Sequence, residues 1–188
     1  LKKRSKNRTE ILERLSRIKG VYVPSMYETY QPGESHLLAV RPKRKAAIPI
    51  KKRISFPFKQ APFPDKFVVP NTKIIFDRIA VEIQRGCPQK CRFCQASQIY
   101  FPPRIKDPSF IIDRVIRNMD STGYEDVSLS ALSVSDYPYL RETVEFVMKI
   151  LCKRKISLSL PSLRPGGLTP DIMENILKVR KTGITLVP

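Results

Sequence analysis

The sequence predicts an α/β fold: a partial (β/α) barrel, its first four strands and three helices, preceded by a helix and an extended Pro/Lys-rich connector. Two observations carry this, and a third marks a site. From Ile79 onward, short β-branched runs alternate with runs of helical period, which builds a parallel sheet with right-handed crossovers. Between Glu28 and Asn71 stand Pro32, Pro42, Pro49, Pro57, Pro62, Pro64 and Pro70, each lacking a backbone donor and resisting helix. Three of the four cysteines fall together as Cys87-x3-Cys91-x2-Cys94. The chain thus divides into a helix and linker (1–27), a basic proline-rich connector (28–78) and the barrel part (79–188). It begins at Leu1 and ends at Val187-Pro188 after an apparent strand, and reads as a fragment of a longer protein.

The elements follow in order. Leu1–Arg8 is a charged tail. Thr9–Ile18 reads as a helix with Thr9 as cap, apolar Ile11, Leu12, Leu15 and Ile18 at helical spacing, and Gly20 beyond its end. Val21–Val23 is a short extended piece stopped by Pro24. The connector wraps, with at most short edge strands; Ile54, Phe56 and Phe58 alternate as a strand or as anchors on the barrel. Ile79, Val81 and Ile83 alternate as the first barrel strand, broken by Arg85-Gly86. Asp107 caps a helix opening at Pro108, buried through Ile112, Val115, Ile116 and Met119 and ended by Gly123. Asp126–Leu132 is the second strand, with Val127 and Leu129 on one face. Pro138–Arg154 is the second helix, with Leu140, Val144, Val147, Met148 and Leu151 inward. Ile156–Leu160 is the third strand. Thr169 caps a third helix from Pro170, buried through Ile172, Met173, Ile176 and Leu177 and closed by Gly183. Ile184–Val187 is the fourth strand.

Charge is the second signal. The chain carries 35 Lys plus Arg against 17 Asp plus Glu, a formal +18. Residues 1–60 hold 16 of the basic and 4 of the acidic residues, and Arg41–Gln60 has eight basic residues and no acid. Such a field attracts nucleic acid, with a solvated basic surface as the plain alternative. Nothing approaches 18 consecutive apolar residues, so no transmembrane helix and no membrane partner are expected. Cysteine usage fits a metal or cluster site in a reducing cytoplasm, not a secreted disulfide frame.

Three thiolates on one short loop converge on a soft acceptor: an iron–sulfur cluster, zinc or a redox thiol site. Structural zinc normally takes four protein ligands, and no second cysteine pair is present. Three cysteines on a [4Fe–4S] cluster leave one iron open to a small molecule. In a barrel of this kind the chemistry gathers at the carboxyl ends of the strands. That nominates the cysteine loop, Ser130–Asp136, Ser162–Arg164 and Val187-Pro188.

The triplet, on the loop after the first strand and with aromatic Phe93 before its last cysteine, resembles the cluster motif of the radical S-adenosylmethionine (radical SAM) superfamily. The string Glu82-Ile-Gln-Arg-Gly-Cys-Pro-Gln-Lys-Cys-Arg-Phe-Cys-Gln-Ala96 resembles one branch of it, as does Ile18-Lys-Gly-Val-Tyr-Val-Pro-Ser-Met-Tyr27. Members of that branch place a B12-binding-like domain ahead of the radical SAM domain and are distant relatives of the methylthiotransferases. The resemblance implies a six-unit open barrel whose last two units are absent here. It implies Cys87, Cys91 and Cys94 as ligands of a [4Fe–4S] cluster whose open iron takes the amino and carboxylate groups of S-adenosylmethionine (SAM). The cluster would cleave SAM to methionine and a 5′-deoxyadenosyl radical, with electrons from a flavodoxin- or ferredoxin-type donor and a substrate not identified. Cobalamin would enter only through a domain outside this chain, and the chain alone is expected to be inactive.

By the same resemblance Phe93 lies near the adenine of SAM, with core packing as the plain alternative. Arg85 and Lys90 flank the cluster and offset its charge, or face solvent. Many family members carry Gly-Gly-Glu after strand two; this chain has Ser128-Leu-Ser-Ala-Leu-Ser-Val-Ser-Asp136, so Ser130, Ser133 and Asp136 become the candidates for the SAM amino group. Asp136 is equally a cap for the following helix. Arg164 is a candidate partner for a carboxylate, through a bidentate guanidinium, or a surface arginine before Pro-Gly-Gly. Cys152 reads as a small core hydrophobe, and His36, the single histidine, as a turn residue. Two other readings stand beside this one. The first is a tRNA- or protein-directed methylthiotransferase-like enzyme. The second is a zinc-stabilised nucleic-acid-binding module using the three cysteines with His36 or Cys152.

Overall fold

The structure, a computed structural model, describes residues 7–34, 36–43, 46–54, 57–180, 183–184 and 186. The chain forms two compact units, residues 1–55 and 56–188.

In the first unit, helix α1 spans Arg8–Ser16. Its cap is Asn7, not Thr9: the Asn7 side chain accepts the Thr9 N–H at 2.9 Å, satisfying a backbone donor that the helix leaves open. The helix ends before Ile18, which is 48% exposed. A 3-10 turn at Pro24–Met26 leads into β1, Tyr27–Tyr30, which pairs antiparallel with β2, Ala39–Pro42. Val23, Met26 and Tyr27 form a small core with Leu12, Leu15, Val21, Ala46 and Ile50. The Tyr27 hydroxyl donates to the Ala47 carbonyl at 2.7 Å.

The second unit holds β3 (Ile79–Glu82), β4 (Gln84–Arg85), α2 (Ala96–Ile99), β5 (Arg104–Ile105), α3 (Pro108–Thr122), β6 (Asp126–Ser130), α4 (Leu140–Arg154), β7 (Ser157–Ser159) and α5 (Pro170–Leu177). Strands β3, β6 and β7 form a parallel sheet in that order, with α3 and α4 as its crossovers. Beyond β7, one parallel bridge joins Leu163 to Leu186. The rest of the expected fourth strand includes residues 185 and 187, which lie outside the described residues, as do most of the charged tail and Phe56. Among the described residues the sheet does not close into a barrel. No described helix is long and apolar enough to cross a membrane.

The register explains the core. Ile79 aligns with Val127, Val81 with Leu129, and Val127 with Leu158. All five are fully buried in one cluster with Ile111, Val115 and Met119 of α3 and Val144, Val147, Met148 and Leu151 of α4. Each such side chain contributes roughly 1.5–3 kcal/mol relative to exposure. Ser128 is also buried: a central parallel strand is covered on both faces, so simple in–out alternation fails there. Residues 80, 82, 128 and 130 occupy the second face and are small or polar.

Several expectations need correction. The buried face of α3 is Ile111, Val115, Asn118 and Met119, with Ile112 and Ile116 half-buried. Asn118 is admitted to the core because its amide donates to the carbonyls of Pro64 at 3.1 Å and Arg114 at 2.9 Å. Asp107 precedes α3 without a side-chain capping bond; its carboxylate takes Lys59 Nζ at 2.8 Å instead. Asp136 is not a cap, because a 3-10 turn, Val134–Asp136, intervenes before α4. Helix α5 buries Ile172 and Ile176 but exposes Met173 and Leu177, and it ends at Leu177, well before Gly183. Phe58 lies in a 3-10 turn, Phe58–Gln60, and is buried as an anchor. Cys152 packs half-buried against the core, and His36 is exposed.

Candidate functional site

The cysteine loop is closed at its base by a second, two-stranded ladder. β4 pairs antiparallel with β5, Gln84 opposite Ile105 and Arg85 opposite Arg104. The Ile83 N–H donates to the Ser130 carbonyl at 3.0 Å and the Lys106 N–H to the Ile83 carbonyl at 2.9 Å, so the ladder continues from the ends of β3 and β6. Gly86 begins the loop with φ +88°, and a Cβ there would lie 2.5 Å from the Tyr100 carbonyl oxygen and 3.0 Å from that of Pro102. Backbone fills the space, and only glycine fits. Arg104 holds the returning chain, donating to the Pro102 carbonyl at 3.1 Å and the Tyr100 carbonyl at 3.3 Å.

Within this loop Cys87, Cys91 and Cys94 are free and half-buried. The Cys94 N–H donates to the Cys91 carbonyl at 3.1 Å. Among the described residues no three His, Cys, Asp or Glu side chains stand ready-grouped around a metal position. Thiolate sites are commonly drawn together by the metal they bind, and the donor set, three soft sulfurs on one short loop, fits an iron–sulfur cluster. Phe93 is 76% exposed beside Cys94, so it is not core packing.

Hydrogen bonds tie this loop to the loops that follow β6 and β7. Gln89 Nε2 donates to Asp136 Oδ1 at 2.9 Å. The Val134 N–H donates to the Ser162 carbonyl at 3.3 Å, and the Arg164 N–H to Ser135 Oγ at 2.9 Å. Ser162 itself has φ +57°, a conformation costly for a residue with a side chain and concentrated at functional sites. The sequence-predicted residues Asp136, Ser133 and Arg164 are thus gathered at one end of the sheet with the cysteine loop. Two of them carry buried oxygens without a partner, Ser133 Oγ and Asp136 Oδ2. Each is an acceptor that a donor on a bound group could satisfy. Ser130 lines a cavity of about 360 Å³ with Glu82, Gln84, Arg85, Gly86 and Tyr100.

Arg85 does not stand free beside the cysteines. It pairs bidentately with Glu82, at 2.8 and 2.6 Å, and its guanidinium lies 4.9 Å from the centre of the Phe58 ring. The hydrogen bond to Glu82 raises its pKa above the usual arginine value. Lys90 is exposed.

Sequence reasoning missed Gln89, hidden among the variable letters of the motif, and Lys106. The Lys106 side chain is 2% exposed. Its ammonium donates to the Ala61 carbonyl at 2.8 Å and lies 4.7 and 4.4 Å from the centres of the Phe58 and Phe110 rings. Burial lowers its pKa, Glu82 raises it and Arg85 lowers it. The Tyr137 hydroxyl donates to the Lys106 carbonyl at 2.8 Å, and burial pushes its pKa up to about 12.

Residues 81–186, more than half of the chain, match the radical SAM superfamily. The chain belongs to that superfamily, whose enzymes generally use a [4Fe–4S] cluster and SAM. It is similar, at 36% identity over 108 residues, to an uncharacterized protein of Methanocaldococcus jannaschii. The match covers 57% of this chain and 23% of that protein, so the chain spans about a quarter of its relative's length. No solved structure matches.

Proposed function

We propose that this chain is part of a radical SAM enzyme in which Cys87, Cys91 and Cys94 hold a [4Fe–4S] cluster and the loops after β6 and β7 hold SAM. When bound, the cluster supplies reductive cleavage of SAM to methionine and a 5′-deoxyadenosyl radical. The observation that carries the reading is the bond from Gln89, inside the cysteine motif, to Asp136, whose second oxygen is buried and unpartnered. An ammonium is the group such an oxygen accepts best, and Ser133 offers a second acceptor beside it. Arg164 offers a guanidinium for the carboxylate. Exposed Phe93 offers a ring face for the adenine.

The serine run Ser128–Asp136, in place of Gly-Gly-Glu, and Ser162-Leu-Arg164 favour the branch that follows a B12-binding-like domain; cobalamin would be held outside this chain. A flavodoxin- or ferredoxin-type donor would supply the electron in the cytoplasm.

Anaerobic reconstitution with iron and sulfide, followed by EPR of the reduced protein with and without SAM, tests this. A [4Fe–4S] signal that shifts on adding SAM is expected. A colourless protein that binds one zinc instead would overturn it.

A further inference from the structure

In the first unit, basic charge gathers around one cavity. It measures about 410 Å³ and lies between the turn that ends α1 and segment 47–53. Arg17, Lys19, Lys51, Lys52 and Arg53 line it, and no carboxylate does. Arg17, Lys19, Lys51 and Arg53 are exposed and, among the described residues, none of these four makes an ion pair. Other basic side chains of the chain are neutralised: Arg41 by Glu28 at 2.5 Å, Lys59 by Asp107 at 2.8 Å and Arg141 by Asp171 at 2.8 Å.

The cations are held there by structure. Gly20 has φ +88°, and a Cβ on it would lie 2.6 Å from Arg53 Cγ and 3.3 Å from the Arg53 backbone nitrogen. Segment 47–53 therefore packs directly on the turn. The Tyr27 hydroxyl fixes its start through the Ala47 carbonyl. Like charges so assembled repel one another, and the carbonyls at the end of α1 offset only about half a unit charge. An anion with several spaced charges relieves the repulsion.

We infer that this cavity binds the phosphodiester backbone of single-stranded nucleic acid. Phosphate contacts of this kind position a strand without reading its sequence. Ile18, Pro49 and Ile50 line the same cavity and give it an apolar floor, which suits sugars and bases more than free polyphosphate. The broad basic stretch 41–60 thereby narrows. Arg41 and Lys59 are paired, Lys43 lines a different cavity, Arg44 and Lys45 lie outside the described residues, and Arg17 and Lys19 join from a separate segment. The inference is independent of the cysteine site.

The test is fluorescence anisotropy of a labelled oligouridine with the whole chain across a range of salt concentrations. Each phosphate contact contributes about −0.7 to the logarithmic salt slope for a single strand. The double variant Lys51→Gln/Arg53→Gln should flatten the slope by about 1.4 and weaken binding roughly tenfold or more at low salt. Lys66→Gln/Lys73→Gln, in the second unit, should leave both unchanged. Equal losses from the two pairs would reduce the effect to net charge and overturn the site. So would the absence of salt-dependent binding, or displacement of the oligomer by tripolyphosphate at matched phosphate concentration. Unchanged circular dichroism of the exposed-site variants separates lost binding from lost folding.

Discussion

Gln89 and Asp136 are 47 residues apart and share a hydrogen bond of 2.9 Å. One sits between two cysteines; the other ends the 3-10 turn after β6. The bond leaves Asp136 with one oxygen engaged and one buried and open, so the cysteine loop sets where that carboxylate points.

Replacing Gln89 with Ala should leave iron loading intact and weaken SAM binding. A hydrogen bond to a charged group is worth about 1.5–3 kcal/mol, and partial exposure reduces this to an expected loss of roughly tenfold. Titrating the SAM-induced EPR change measures it. A shift in iron content with unaltered SAM affinity would remove Gln89 from the positioning of Asp136.

Gly86→Ala should destabilise the protein and lower its cluster content together. The positive φ costs about 1–3 kcal/mol, and the clash is with backbone oxygens, which cannot rotate away. A melting curve beside an iron assay shows both; Gly123→Ala, also at positive φ but with open space around it, should cost less.

Tyr137 makes stability depend on pH at the alkaline end. Its pKa rises from 10.0 to about 12 on folding, so the folded state keeps a proton that the unfolded chain loses. The contribution is full below pH 10 and is lost as pH climbs through about 12, on the order of 2–3 kcal/mol in all. Denaturant titrations in that window should show the decline, and Tyr137→Phe should remove most of it.

Lys106 acts with the opposite sign. Burial holds its pKa below 10.5, so the folded state disfavours the proton, and the associated penalty shrinks as pH rises toward 10.5. Lys106→Ala should nonetheless destabilise by roughly 2–4 kcal/mol, because it opens a cavity and strands the Ala61 carbonyl. Lys106→Met, which refills the space, should recover part of that loss in chemical denaturation.

Local signals in the sequence were reliable where the chain acts on itself. The proline at the start of α3 and the inward stripe of α4 were both legible. Features that depend on distant partners were not. Asn118 faces the core with Pro64 as well as Arg114 offering its amide a carbonyl, and Asp107 abandons its cap for Lys59. Nothing near Gln89 in sequence announces Asp136. Met173 and Leu177 look inward by period, yet α5 buries a narrower stripe than the period allows.

The sheet lists its strands in the order in which a ribosome makes them, β3, then β6, then β7. Among the described strands of this sheet none must be threaded between two already paired. The cysteine loop closes earlier still, on the neighbouring ladder of β4 and β5, and closures between segments near in sequence are fast. During synthesis the three thiols are therefore expected to emerge on a finished loop while the later strands are still being made, open to an iron–sulfur donor at that moment.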